Sequence, residues 1–311
     1  MAAGYHRRLI WFEFAQSRDF LSQKYRSNTV RKLLPWAPVI LFAAFLATYI
    51  AGCWTPAPPA PRQPVSLRDQ CLNIDPAPQK LETRFAVFGD VKEGSQVMEK
   101  IVAEVETDGN YDFAACTGDM VTGATESYYE VFSQCALLNL RKTPLIFIPG
   151  NHDVGSEAAR TTLYEKHFGA PFYKFSIGKT LFVIIDNATS GAFDGQYKWL
   201  ETTLKSERAK YDTLIVFMHM PPLDLRGGLM WHAMPRENGD KLLALLKEYN
   251  TAAIFCGHIH AYEEWKENGI PTYVTGGGGA DLVDPNAKFH FLEVVIRDGK
   301  VSVTVHPVAE K

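Results

Sequence analysis

Five short apolar runs in this chain each end in a side chain able to bind metal or move protons. They run from Arg84 to Asp90, Phe113 to Asp119, Leu145 to Asn151, Leu214 to His219 and Ala253 to His258. Four of the five place a glycine directly before the polar residue. Asp90 and Asp119 are hard oxygen donors, Asn151 is a neutral oxygen donor, and His219, His258 and His260 are borderline nitrogen donors. That mixture suits Mn, Fe or Zn better than Ca or Mg. A carboxylate bridging two such ions holds them roughly 3.5–4 Å apart, the spacing for in-line displacement at phosphorus. One Gly-Asp after a strand is an ordinary turn or helix cap. Five such ends with complementary chemistry point to a metal site.

The elements that position these residues follow from the same runs. Continuous apolar stretches of this length read as strands buried on both faces. Ligands of open α/β sheets collect at the carboxyl ends of such strands. Helical patterns lie between them: Ser95–Thr107 with a serine cap, Glu126–Leu140, Ser156–Phe168, Gln196–Lys210 and Asp240–Tyr249. Tyr173–Ile177 with Leu181–Asp186, and Lys288–Arg297 with Lys300–Val305, read as hairpins. The residues alone therefore predict an α/β domain with mixed sheets. The run Thr275–Ala280 lacks the Gly-Lys-Ser/Thr ending of a phosphate loop and reads as a close-packed turn.

Gly118-Asp119, Gly150-Asn151-His152-Asp153, His219-Met220-Pro221-Pro222 and Gly257-His258-Ile259-His260 resemble the motifs of calcineurin-like metallophosphoesterases, in order and in spacing. The likeness runs from about Arg84 to the end of the chain. It implies a four-layer α/β/β/α sandwich and two divalent transition-metal ions, Mn, Fe or Zn. Asp119 would bridge them, Asp90 and His260 would serve the first, and Asn151, His219 and His258 the second. A water between the ions would lose its proton and attack the phosphate ester. His152 would stabilise the transferring phosphoryl oxygens or protonate the leaving group, with Asp153 orienting it; the bland alternative is that His152-Asp153 caps the next helix. Purple acid phosphatases resemble the chain less, because they carry a tyrosine in the second motif where Val121 and Thr122 stand here.

One departure from the resemblance is chemical. The family's first motif reads Asp-x-His, and this chain has Asp90-Val91-Lys92. A lysine ammonium repels a divalent ion. The expectation is a first ion held by Asp90, Asp119 and His260 alone, with Lys92 reaching the substrate phosphate. Arg226 and His232, in the loop Leu223–Asn238 after His219, are further candidate substrate contacts.

The 311 residues, 46% hydrophobic and 22% charged, suffice for one sizeable α/β domain. Residues 1–52 carry seven Lys/Arg and two Asp/Glu, and residues 53–311 carry 25 and 33. The second part is thus strongly acidic, which argues against nonspecific nucleic-acid binding. An anionic substrate would be drawn in by metals and local cations.

Residues 36–52 hold no charge, follow the basic pair Arg31 and Lys32, and end in Ile50-Ala51-Gly52, directly before Cys53. That sequence resembles the lipobox of bacterial lipoproteins, in which the cysteine becomes acylated. The other reading is an uncleaved transmembrane anchor. The expected organisation is a basic region and signal or anchor over 1–53, a Pro/Ala-rich linker over 54–80, and a metallophosphoesterase domain over 81–311. Either reading puts the domain outside the cytoplasm, in the periplasm or on the outer surface. Cys71 and Cys135 are a conceivable disulfide in such a compartment. The expected activity is metal-dependent phosphoester hydrolysis of a phosphorylated small molecule or envelope component. The competing expectation is a metal-binding scaffold that keeps the fold without turnover.

Overall fold

The computed structural model describes residues 80–155, 163–226 and 232–309. The expected anchor over 1–53 and the linker up to residue 79, with Cys53 and Cys71, lie outside the described residues. So do residues 156–162 of the expected helix Ser156–Phe168. Among the described residues no helix is long and apolar enough to cross a membrane.

The five apolar runs are strands. β1 (Glu82–Phe88), β2 (Phe113–Cys116) and β3 (Leu145–Phe147) lie parallel to one another. β4 (Tyr173–Ile177) and β5 (Thr180–Ile184) form the first expected hairpin. β6 (Thr213–Phe217) and β7 (Ala253–Cys256) continue in parallel from β5. β8 (Tyr262–Glu267) and β9 (Ile270–Thr275) make a hairpin that the sequence reading did not include. β10 (His290–Arg297) and β11 (Lys300–Pro307) are the last expected hairpin. The strand orders are β11-β10-β1-β2-β3 in one sheet and β4-β5-β6-β7-β9-β8 in the other, and both are mixed.

Alternation along the strands builds the layers, because successive side chains point to opposite faces. Phe85 and Val87 of β1 enter a cluster shared with Phe182, Phe217 and Phe255 of the second sheet, so the two sheets face each other. Phe85 stacks on Phe113 at 4.8 Å and meets Phe182, Phe217 and Phe255 edge-on at 5.6–5.9 Å. Truncating such a ring to alanine costs about 3–5 kcal/mol. Ala86 and Phe88 point the other way, to α1 (Ser95–Asp108) and α2 (Glu126–Asn139). Leu214 and Val216 of β6 likewise face α5 (Ser190–Glu207) and α6 (Arg236–Glu248). The result is the expected α/β/β/α sandwich. Among the described residues, two short helices lie between α2 and α5, α3 (Asn151–Val154) and α4 (Glu165–Phe168).

Helix α1 buries Val97, Met98, Ile101, Val102 and Val105, the spacing of one helical face. Its N-cap is Gly94 rather than the expected serine, and no side chain caps it. Thr125 caps α2 by accepting the Tyr128 amide at 3.4 Å. Cys116 and Cys256 are buried core residues, and Cys135 is a partly buried free thiol.

Candidate metal centre

Asp90, Asp119 and Asn151 follow β1, β2 and β3, and His219 and His258 follow β6 and β7. The carboxyl ends of both sheets therefore meet at one place. Asp90 is fully buried, Asp119 is 1% exposed and His219 is fully buried. Donor atoms of these three all lie within 4.8 Å of one another. The structure also brings Asn151, His258 and His260 to this cluster.

Each strand end has to turn abruptly to aim its side chain inward. Asp90, Asp119 and His258 adopt the left-handed backbone conformation, with φ of 60°, 51° and 70°. Such conformations cost non-glycine residues of order 1–3 kcal/mol and persist where the surroundings over-determine them. Here they do: the Asp90 amide donates to the Gly118 carbonyl at 2.9 Å and the Val91 amide to the Asp119 carbonyl at 2.8 Å. Gly118 has φ of 99°, and a Cβ there would lie 2.6 Å from His219 Nδ1 and 2.8 Å from the Gly150 backbone. The turn between β2 and Asp119 thus requires glycine.

Backbone contacts fix the rings. His219 Nδ1–H donates to the Thr117 carbonyl at 2.8 Å, so its Nε2 carries the lone pair. That lone pair faces Asn151 Oδ1 at 3.0 Å and Asp119 Oδ1 at 3.3 Å, two further acceptors. His258 Nδ1 lies 3.1 Å from Asn151 Oδ1 and 3.3 Å from His219 Nε2. His260 Nδ1–H donates to the Asp281 carbonyl at 2.7 Å, and its Nε2 lies 3.5 Å from Asp90 Oδ1. Asn187 Oδ1 accepts the amides of His219 and Met220 at 3.0 and 3.1 Å and so holds the His219 turn. Asp90 accepts the His258 amide at 2.9 and 3.1 Å, tying the first strand end to the last.

The electrostatics follow from burial. Burial pushes the Asp90 carboxyl well above its usual range, and the Asp119 charge adds to this. Burial also works upward on Asp119, but the His219 ring, the His152 amide and Lys92 outweigh it and hold it below its ordinary value. Burial lowers His219 against the opposing pull of Asp119, and lowers His258 to about 3.

His152 lies beside the donor cluster. Its amide donates to Asp119 Oδ1 at 3.0 Å, and its Nδ1–H donates to the Thr122 carbonyl at 2.8 Å. The ring lines a cavity of about 210 Å³ together with Lys92, Arg226, His232, His258 and His260. The expected orienting role of Asp153 is corrected here. Its carboxylate is buried and accepts the amides of Gly150 and Val121 at 2.8 and 3.1 Å, so it braces the turn into α3 while Thr122 orients His152. This is the capping alternative for Asp153.

Arg226 and His232 share an anchor that the sequence reading missed. The Asp224 carboxylate accepts Arg226 Nε and Nη2 and the His232 amide at 2.8–3.2 Å. The Asp224-x-Arg226 spacing was the available signal. Tyr262 stands away from the cluster, on a second cavity with His290. Thr275–Ala280 is a close-packed turn: Gly278 and Ala280 donate to the carbonyls of Gly89 and Asp90, each at 2.8 Å.

A family model described as calcineurin-like phosphoesterase matches residues 83–262, and the chain belongs to that family. The glycerophosphodiester phosphodiesterase GpdQ of Enterobacter lignolyticus is 32% identical over 48% of this chain and 56% of its own length. The chain spans 53% to 61% of the length of the first curated relatives it matches. A purple acid phosphatase from yellow lupin shares the fold with a TM-score of 0.58 at 20% identity, over 74% of this chain and 52% of that one. A dimetal phosphatase from Danio rerio gives 0.50 at 13% identity, over 76% and 100%.

The family implies two transition-metal ions, and the donor set tests the fit. A neutral imidazole lone pair aimed at two oxygen acceptors is repulsive without a cation among them. A buried carboxylate pair at the same spot needs positive charge. Asp119, Asn151, His219 and His258 therefore fit one ion. Asp90, Asp119 and His260 face a second position, with Lys92 beside them.

Proposed function

We propose that the chain is a metal-dependent phosphoester hydrolase of the cell envelope. The observation that carries the hydrolase reading is the division of Asp119. Its Oδ1 faces His219, and its Oδ2 faces Lys92 at 3.4 Å. One buried carboxylate thus looks both ways across the centre, as a bridge between two ions requires. Family membership and dimetal and purple acid phosphatase relatives support a dinuclear transition-metal centre.

The bound ions supply Lewis acidity toward water and toward the phosphoryl oxygens. The chain's own residues do the rest. The Thr122 carbonyl holds the His152 ring at the cavity wall, where it is placed to pass a proton to the leaving oxygen. Arg226, fixed by Asp224, offers donors to a non-reacting phosphoryl or other anionic oxygen. No side-chain nucleophile is required. The substrate class is a phosphomonoester or phosphodiester of a small molecule or envelope component.

The envelope assignment is supported by the uncharged stretch 36–52 between a basic pair and Cys53. We favour acylation of Cys53 over an uncleaved anchor, with the domain held off the membrane by the Pro/Ala-rich spacer. Labelled fatty acid should enter the protein in a bacterial host, and Cys53→Ser should prevent it. Mature protein that keeps the residues before Cys53 would establish the anchor instead.

The hydrolase reading is tested with generic aryl phosphate monoesters and diesters in the presence of Mn. Turnover of at least one, abolished by a chelator, is the expected result. A folded, metal-loaded protein that turns over neither would be the scaffold.

A further inference from the structure

Lys92 occupies an unusual place. It is the second residue after Asp90, with φ of 46°, and its amide donates to the Asp119 carbonyl at 3.1 Å. This turns its side chain back over the centre, where it is 15% exposed. Its Nζ lies 3.4 Å from Asp119 Oδ2 and 3.3 Å from His260 Nε2. Because His260 Nδ1–H is committed to the Asp281 carbonyl, Nε2 is an acceptor, and the ammonium donates into it. The same Nε2 is 3.5 Å from Asp90 Oδ1. The ammonium therefore contacts two of the three groups that face the first metal position.

We propose that the Lys92 ammonium is a built-in competitor for the first ion. The inference rests on the metal-centre reading above. The two halves of the centre then bind metal with unequal strength. The half made by Asp119, Asn151, His219 and His258 fills first. The half made by Asp90, Asp119 and His260 fills only when Lys92 leaves.

Charge and donor geometry both support this. An ammonium and a divalent ion cannot share Asp119 Oδ2 and the lone pair of His260. One divalent ion already balances the two buried carboxylates that face the centre. An added ammonium makes the site cationic, and a second divalent ion makes it strongly so. That surplus is tolerated when Lys92 swings toward water on its flexible stem or when an anion enters the cavity. A phosphate ester is such an anion, so the lysine that blocks the first ion is also placed to follow the substrate's phosphoryl group.

The test is a Mn titration of the full chain after chelation, read as bound metal and heat of binding. The natural protein should show two dissociation constants separated by at least roughly 10-fold, about 1.4 kcal/mol. Lys92→Met removes the charge but keeps most of the stem, and should tighten the weaker constant by a similar factor while leaving the tighter one unchanged. Lys92→His adds a nitrogen donor and should tighten it further. Lys92→Arg keeps the charge and should leave it weak. Thermal melts of each variant report whether the fold is kept, and failure of one leaves the other two to decide. Two equally tight ions in the natural protein would overturn the proposal, as would a weaker constant that ignores removal of the ammonium. Unequal binding without any turnover would leave the proposal standing and refute the hydrolase reading. Turnover with two equal ions would do the reverse.

Discussion

Asp224 grips Arg226 through a fork, Nε to Oδ1 at 3.0 Å and Nη2 to Oδ2 at 2.8 Å. Burial pushes the Asp224 carboxyl up, but the guanidinium and two backbone amides outweigh it and keep it below its usual value. The pair is neutral overall, and the carboxylate fixes the guanidinium at the cavity wall, where its remaining N–H groups can donate. Lysine cannot reproduce the fork. Arg226→Lys and Asp224→Asn should each raise KM by roughly 10-fold, the scale of one lost charge-assisted hydrogen bond. Metal content and kcat should change little. An unchanged KM in both variants would place Arg226 outside the substrate's reach.

His152 should separate metal binding from turnover. Its ring is held by the Thr122 carbonyl rather than by a residue of the donor set. His152→Ala should keep full metal content and lower kcat by roughly 10²–10⁴, the scale for a lost general acid. Metal analysis and steady-state kinetics on one preparation decide it. Equal kcat would make the ring a packing element.

Asp119→Asn and His258→Ala should lose both metal and activity. Mn should also raise the melting temperature of the natural chain, since a ligand bound only by the native state adds about 2.7 kcal/mol at 100 times its dissociation constant. Neither variant should show that rise. Full metal occupancy in both would refute the assignment of these ligands.

Glu267 gives a pH dependence away from the metal. It is 3% exposed, and burial raises its pKa to about 7 although Trp265 Nε1–H donates to it at 2.7 Å. The folded pKa exceeds the unfolded one of about 4.5. The folded state therefore binds the proton more tightly. Its stabilising effect is complete below about 4.5 and is lost as pH rises through about 7, at up to about 1.4 kcal/mol per pH unit. Glu267→Gln should melt above the natural protein at pH 8 and lose that advantage toward pH 5. Parallel melting curves at both pH values would contradict this.

The strand ends and their donors were legible because apolar runs closed by Gly-Asp or Gly-His combine buried strand, sharp turn and ligand in a few residues. What was missed has physical reasons. The hairpin β8–β9 is hidden by the charged string Tyr262–Glu267, although Asn268-Gly269 is a strong turn signal. Helix α6 begins at Arg236, before the expected Asp240, and Gly239, a poor helix former, lies within its first turn. Gly239 is there for space: a Cβ would lie 2.2 Å from the Pro222 carbonyl oxygen. α5 begins at Ser190 rather than the expected Gln196, with the poor helix formers Gly191 and Gly195 in its first turns. The carbonyls of Thr117, Thr122 and Asp281 that fix the histidine tautomers carry no sequence signal, since every residue has a carbonyl and only the fold selects one. Asp153 was legible as a participant, but its partners were not.

Asp90 and the His258 amide that it accepts are 168 residues apart in sequence. Completing the centre therefore depends on non-local pairing, whose loop-closure cost comes before its reward. No local segment holds a working subset of donors that could gather an ion early and guide the rest. A one-residue slip of β7 against β6 would displace His258 and also exchange Ile254 and Cys256, which pack under the helices, with Ala253 and Phe255, which face the other sheet. Metal content is thus a readout of strand register, because the donors come together only when β7 is paired correctly with β6.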